Sequence, residues 1–84
     1  MNIEHLVHMA NQIGAFFEGE PNQEEAANAV ASHLKRFWDP RMRREILRYA
    51  EDQGGQGLKD IVSRAIKLNR DSFISVAPPS TREN

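Results

Sequence analysis

Three groups of residues in this chain have types and spacings that chemistry can use. His5 and His8 stand three apart, about 60° from each other in helical projection, so their imidazoles could share a metal ion with Glu4 or Gln12 as a third ligand. Gly54-Gly55-Gln56-Gly57 has the glycine content of a phosphate-cradling loop. Lys35-Arg36-Phe37-Trp38-Asp39-Pro40-Arg41-Met42-Arg43-Arg44 gathers five of the eleven basic residues, the only tryptophan and an Asp-Pro step. Guanidinium forks at that density suit a carboxylate or phosphate partner.

The first two signals are weak. Two histidines without a matching pair elsewhere read as exposed surface residues, and His33 reads as the edge of an apolar helix face. The glycine stretch follows a helical pattern instead of a strand and lacks the Lys-Ser/Thr of a nucleotide-binding loop, so it reads as an interhelical turn. There is no cysteine, which removes disulfides, cysteine-ligated zinc and cysteine-ligated iron–sulfur clusters. No G-x-S-x-G occurs, nor a pair of carboxylates in an evident apolar pocket. The expectation is a chain without catalytic, cofactor-binding or metal-binding residues of its own.

The arginine group breaks a local rule. Asp39-Pro40 reads as an N-cap and first helical position, so one helix ends near Trp38 and the next begins at once. Arg41, Arg43 and Arg44 then fall in a first helical turn, where the macrodipole and the unpaired backbone N–H groups favour negative charge. Projection puts Arg41, Arg44 and Arg48 on one outward stripe and Arg43 on the border of the apolar side, between Leu47 and Ala50. Either the cluster meets an acidic surface or it pairs with the chain's own carboxylates; Arg43 must snorkel to water or reach a carboxylate. The elbow of Phe37, Trp38, Asp39, Arg41, Arg43 and Arg44 is thus the candidate partner-binding site. Met9 and Phe16 share a secondary face of the first helix with His5 and Gln12. They form either a second docking strip or part of a wide core face.

Four short amphipathic helices must position these residues. Ile3, Leu6, Val7, Ala10, Ile13, Gly14 and Phe17 recur at helical spacing over Asn2 to Glu18, before Gly19 and Pro21. Asn22, with Glu25 three residues later, caps a second helix that runs to about Trp38 and turns Ala26, Ala27, Val30, Leu34, Phe37 and Trp38 inward. The third, Pro40 to about Gln53, buries Met42, Ile46, Tyr49 and Ala50; after the glycine turn, the fourth buries Leu58, Ile61, Val62, Ala65, Ile66 and Leu68. The fold class is all-α, a compact bundle or array of four short helices in a domain over residues 1–70. Residues 71–84, with Pro78-Pro79 and no helical period, read as an extended or disordered C-terminal tail. Its Phe73, Ile74 and Val76 are apolar enough to dock on the domain or on a neighbour.

At 84 residues the chain makes one domain, which buries roughly 60% of its unfolded surface, so a partner that covers more would stabilise it. Net charge is −1, yet residues 1–34 contain five Glu and no Lys or Arg, whereas residues 35–48 hold six basic and two acidic residues. Such polarity speaks to docking. With no basic leader and no apolar run of membrane length, a soluble cytoplasmic protein is expected. A competing reading is a small helical nucleic-acid-binding domain, since the fourth helix carries Lys59, Arg64, Lys67 and Arg70 against Asp60 after a glycine turn. A sequence pI near 6.3 counts against it.

The runs His8-Met9-Ala10-Asn11-Gln12-Ile13-Gly14-Ala15-Phe16-Phe17, Phe37-Trp38-Asp39-Pro40-Arg41-Met42-Arg43 and Gly54-Gly55-Gln56-Gly57-Leu58 together resemble the small delta subunit of NAD-dependent, molybdenum-containing formate dehydrogenases. The resemblance covers roughly residues 2–68, in the same order and at similar spacing. It implies an accessory, non-catalytic subunit of a cytoplasmic complex that oxidises formate to carbon dioxide and reduces NAD. It also implies that the larger subunits hold the molybdopterin guanine dinucleotide, iron–sulfur clusters and FMN. This chain would then bind no cofactor and stabilise the assembly by docking on a larger subunit, the molybdenum subunit first. Neither a membrane nor a nucleic acid is an expected partner.

Overall fold

The computed structural model describes residues 2–74. Local capping signals set the starts of its first three helices. Asn2 opens α1 (Ile3–Phe17), its Oδ1 accepting the Glu4 and His5 N–H groups at 2.8 and 3.3 Å. Asn22 opens α2 (Gln23–Phe37) in the expected way, accepting the Glu25 N–H at 2.9 Å. The ends of α2 also suit its macrodipole, with Glu24 and Glu25 in the first turn and Lys35 and Arg36 in the last. Trp38 is extended, and Asp39 then caps α3 (Pro40–Asp52) by accepting the Met42 N–H at 2.9 Å. Two further helices follow, α4 (Asp60–Leu68) and α5 (Arg70–Ile74).

The core forms around α2, which buries Ala26, Ala27, Val30, Ala31 and Leu34 and packs most extensively on α4. Its alanines keep that face low, so Val62, Ala65 and Ile66 of α4 are fully buried. Where α1 meets α4, Gly14 takes the place of a side chain: a Cβ there would lie 2.8 Å from Val62 Cγ2 and 3.0 Å from Ile61 Cγ2. The turn from α3 to α4 depends on left-handed glycines. Gly54 and Gly55 have φ of +73° and +65°, and the Gly55 N–H returns at 3.2 Å to the Tyr49 carbonyl, which also accepts the Gln53 N–H at 3.1 Å.

One side chain ties that turn to the first helix. Asn11 donates its Nδ2–H to the Gly57 carbonyl at 2.8 Å and accepts the Lys59 N–H on Oδ1 at 2.9 Å. Lys59 is the N-cap of α4 and makes no side-chain cap bond of its own, so α1 supplies what the local sequence lacks.

Several expected placements change. Phe37 is 68% exposed, because Trp38 leaves the helix extended and takes the inward position at 5% exposure. Leu68, expected inside, is 55% exposed, whereas Leu47 of α3 is buried. The segment expected to be tail from Asp71 is helical through Ile74: α5 lies on α3, and Phe73, not Leu68, is the apolar residue that enters the core at that end. Arg70 pairs with Glu51 of α3, and hydrogen bonding to that carboxylate, then its charge, raises the Arg70 pKa above its ordinary value. The rest of the expected tail, residues 75–84 with Val76, lies outside the described residues.

Candidate functional site

The elbow between α2 and α3 separates the arginine cluster into three roles. Arg43 reaches back to the end of α2, where its Nη1–H groups donate to the Lys35 carbonyl at 3.1 Å and to the Trp38 carbonyl. It meets no carboxylate, one of the two destinations expected for it, and stays half-buried; its Nε is buried with no hydrogen-bond partner among the described residues. A cation at the first turn of α3 is thus a cation at the last turn of α2, where the macrodipole favours it. Arg44 lies elsewhere, lining a shallow depression with Leu47, Arg48, Glu51 and Asp52. Arg41 is exposed beside Met42.

Trp38 and Asp39 are engaged inside the domain as well, one in the core and one as the cap of α3. Of the expected contact residues, these two and Arg43 give the elbow its shape. Phe37, Arg41 and Arg44 face outward. Among the described residues the ion pairs are Lys59–Glu18 at 3.3 Å and Arg70–Glu51, so Arg36, Arg41 and Arg44 pair with no carboxylate of their own chain there.

Beside the elbow opens an apolar groove of about 600 Å³. Its α1 wall is Met9, Gln12, Ile13, Phe16 and Phe17; His33 and Phe37 form the α2 wall, with Trp38 and Met42 at the elbow end. Phe16 is 81% exposed and Phe37 68%. Aromatic contacts run across it, Phe16 to Phe17 at 4.9 Å edge-on, Phe17 to His33 at 6.4 Å and His33 to Phe37 at 4.6 Å between ring centroids. The groove therefore joins Met9 and Phe16 to Phe37 and Trp38 of the elbow, some twenty or more positions away in sequence, while Asp39, Arg41, Arg43 and Arg44 lie outside its wall. Sequence reasoning placed Phe17 and Ile13 in the core, but both are half-buried and belong to the wall. The signal was the adjacent Phe16-Phe17 pair, since successive helical residues point about 100° apart and cannot both enter one core.

The other candidates gather less around them. His5 and His8 are exposed, and among the described residues no three His, Cys, Asp or Glu are placed to hold a metal ion. The glycine stretch forms the α3–α4 turn. No helix among the described residues is long and apolar enough to cross a membrane. At the end of α2 away from the elbow, Glu18, Glu20 and Asp60 line a small polar cleft with Arg64.

The family model described as NADH-dependent formate dehydrogenase delta subunit FdsD matches residues 5–66. The chain belongs to the FdsD family. The matched stretch contains every residue of the groove, the elbow and the α3–α4 turn, and α5 lies beyond it. No curated protein and no solved structure matches the chain. Membership implies an accessory subunit of an NAD-dependent formate dehydrogenase, with other subunits of that complex as partners.

Proposed function

We propose that this FdsD chain is a non-catalytic subunit that stabilises a cytoplasmic NAD-dependent formate dehydrogenase by docking on a larger subunit, the molybdenum subunit first. The observation that carries the reading is the open apolar groove with Phe16 and Phe37 at its rim. Contiguous apolar surface of this kind on a small domain marks an interaction site, and aromatic side chains in a desolvated centre are the usual anchors. Met9, Phe16 and Phe37 are the anchors here, with Arg41 and Arg44 at the periphery; Trp38, Asp39 and Arg43 position the elbow. In this reading the molybdopterin guanine dinucleotide, iron–sulfur clusters, FMN and the NAD site belong to the larger subunits.

Expression of the tagged chain with the formate dehydrogenase operon tests the reading. The molybdenum subunit should co-purify in a fixed ratio, and enzyme made without the chain should lose activity faster on heating. Recovery of the chain alone, with enzyme equally active and stable in its absence, would refute it.

A further inference from the structure

We propose that the occupant of the groove is an amphipathic α-helix of the partner subunit, which lays its apolar face between Phe16 and Phe37 and brings carboxylates to Arg36 and Arg41. The inference rests on the docking reading above and adds the chemistry of the partner. The groove wall offers few hydrogen-bonding side chains, Gln12, His33 and the Trp38 indole N–H. A segment entering it loses water from its backbone N–H and C=O groups and finds few replacements, so it must satisfy them internally. A helix does so. An extended strand would need a sheet edge to pair with, and the described residues contain no strand.

Size and charge agree. About 600 Å³ exceeds what one anchor side chain fills and suits the several side chains that a helix face presents at i, i+3, i+4 and i+7. Arg36 lies over the Phe37 ring with Cζ 5.9 Å from its centroid, and Arg41 adjoins the wall residue Met42. Neither has an ion pair among the described residues, and the nearby Asp39 carboxylate is bonded to the Met42 N–H. The elbow thus presents positive charge in want of a carboxylate. A second copy of this chain is a poorer occupant: among the described residues the main apolar stripe of each of α1 to α4 is buried in its own core, and the Phe16 and Phe37 rings that α1 and α2 leave exposed form the groove rim itself, so no amphipathic helix is free to lie in a neighbour's groove.

The test uses the complex from the operon with p-benzoylphenylalanine incorporated in place of Phe16 or, separately, Phe37, followed by irradiation and mapping of the joined peptides. Both probes should capture one segment of a larger subunit, with apolar residues at helical spacing and at least two Asp or Glu on its flanks. Phe16→Asp with Phe37→Asp should weaken association about 30-fold or more, and Arg36→Glu with Arg41→Glu about tenfold with loss of its salt dependence. Melting of the isolated variants controls for folding; because Phe16 and Phe37 are exposed, the photoprobes read the occupant without removing core contacts. Capture of a second copy, of this chain's residues 75–84, or of a partner segment without helical spacing or carboxylates overturns the inference. So does undiminished association of the variants. If the unmodified chain still co-purifies in those cases, the docking function stands alone; if it does not, both fall.

Discussion

Arg43→Ala should cost this domain a large share of its stability, although the residue lies in a stretch that reads as a surface cluster. The substitution removes two hydrogen bonds from a charged donor, to the carbonyls of Lys35 and Trp38. Such bonds are worth ~1.5–3 kcal/mol each, and the low end applies where one acceptor is at the surface, giving about 3 kcal/mol for the pair. Loss of the cation at the end of α2 adds ~0.5 kcal/mol, and removal of the unpartnered buried Nε returns about 1 kcal/mol. The net is about 2–3 kcal/mol from a total on the order of 5–15 kcal/mol. At about 4–8 °C per kcal/mol for a domain of this length, Tm should fall by roughly 10–20 °C. Arg43→Lys keeps the charge on a shorter reach and should lose about half as much, whereas exposed Arg41→Ala should stay within about 0.5 kcal/mol. Far-UV circular dichroism gives Tm, and the fluorescence of Trp38, the sole tryptophan and 5% exposed, reports the elbow itself. Equal melting of Arg43→Ala and Arg41→Ala would refute the capping role. Unchanged melting with lost co-purification would return Arg43 to the partner's carboxylates.

Gly14→Ala should destabilise the chain by about 1–2 kcal/mol in thermal melts despite alanine's better helix propensity, because the new Cβ meets the stiff, buried Val62 at 2.8 Å. An unchanged or raised Tm would show that α1 and α4 can part at little cost. Asn11→Ala leaves the Gly57 carbonyl and the Lys59 N–H without their protein partners, so it should cost about 1–2 kcal/mol and speed hydrogen exchange at the Lys59 amide. Phe73→Ala should cost about 3–5 kcal/mol by the cavity it opens, measured by urea unfolding; a surface-sized effect would mean that α5 is no part of the core.

The elements of this fold whose causes are local were legible in the sequence. Asn22 with the Glu25 N–H, Asp39-Pro40 before α3, and the glycines after Asp52 act over a few residues, so residue type alone carries them. Helical spacing likewise identified most of the buried face of α2 and α4. Absence of cysteine and of nucleophile motifs also lay in composition, and the three sequence runs carried the family resemblance.

What joins distant segments was decided by tertiary structure. Periodicity says which side of a helix is apolar, but not where a neighbour crosses it, so Phe16 and Phe37 were read apart and only the approach of α1 to the elbow makes them one groove. Asn11 acts on residues 46 and 48 positions away, and Gly14 matters because Ile61 and Val62 press on it. Phe73 enters the core because α5 folds onto α3, a contact its short segment does not encode by itself. Arg43 is the plainest case. Judged on its own helix it is a cation at the wrong end, and only the sharp turn at Trp38, which sets the start of α3 against the end of α2, makes that charge favourable.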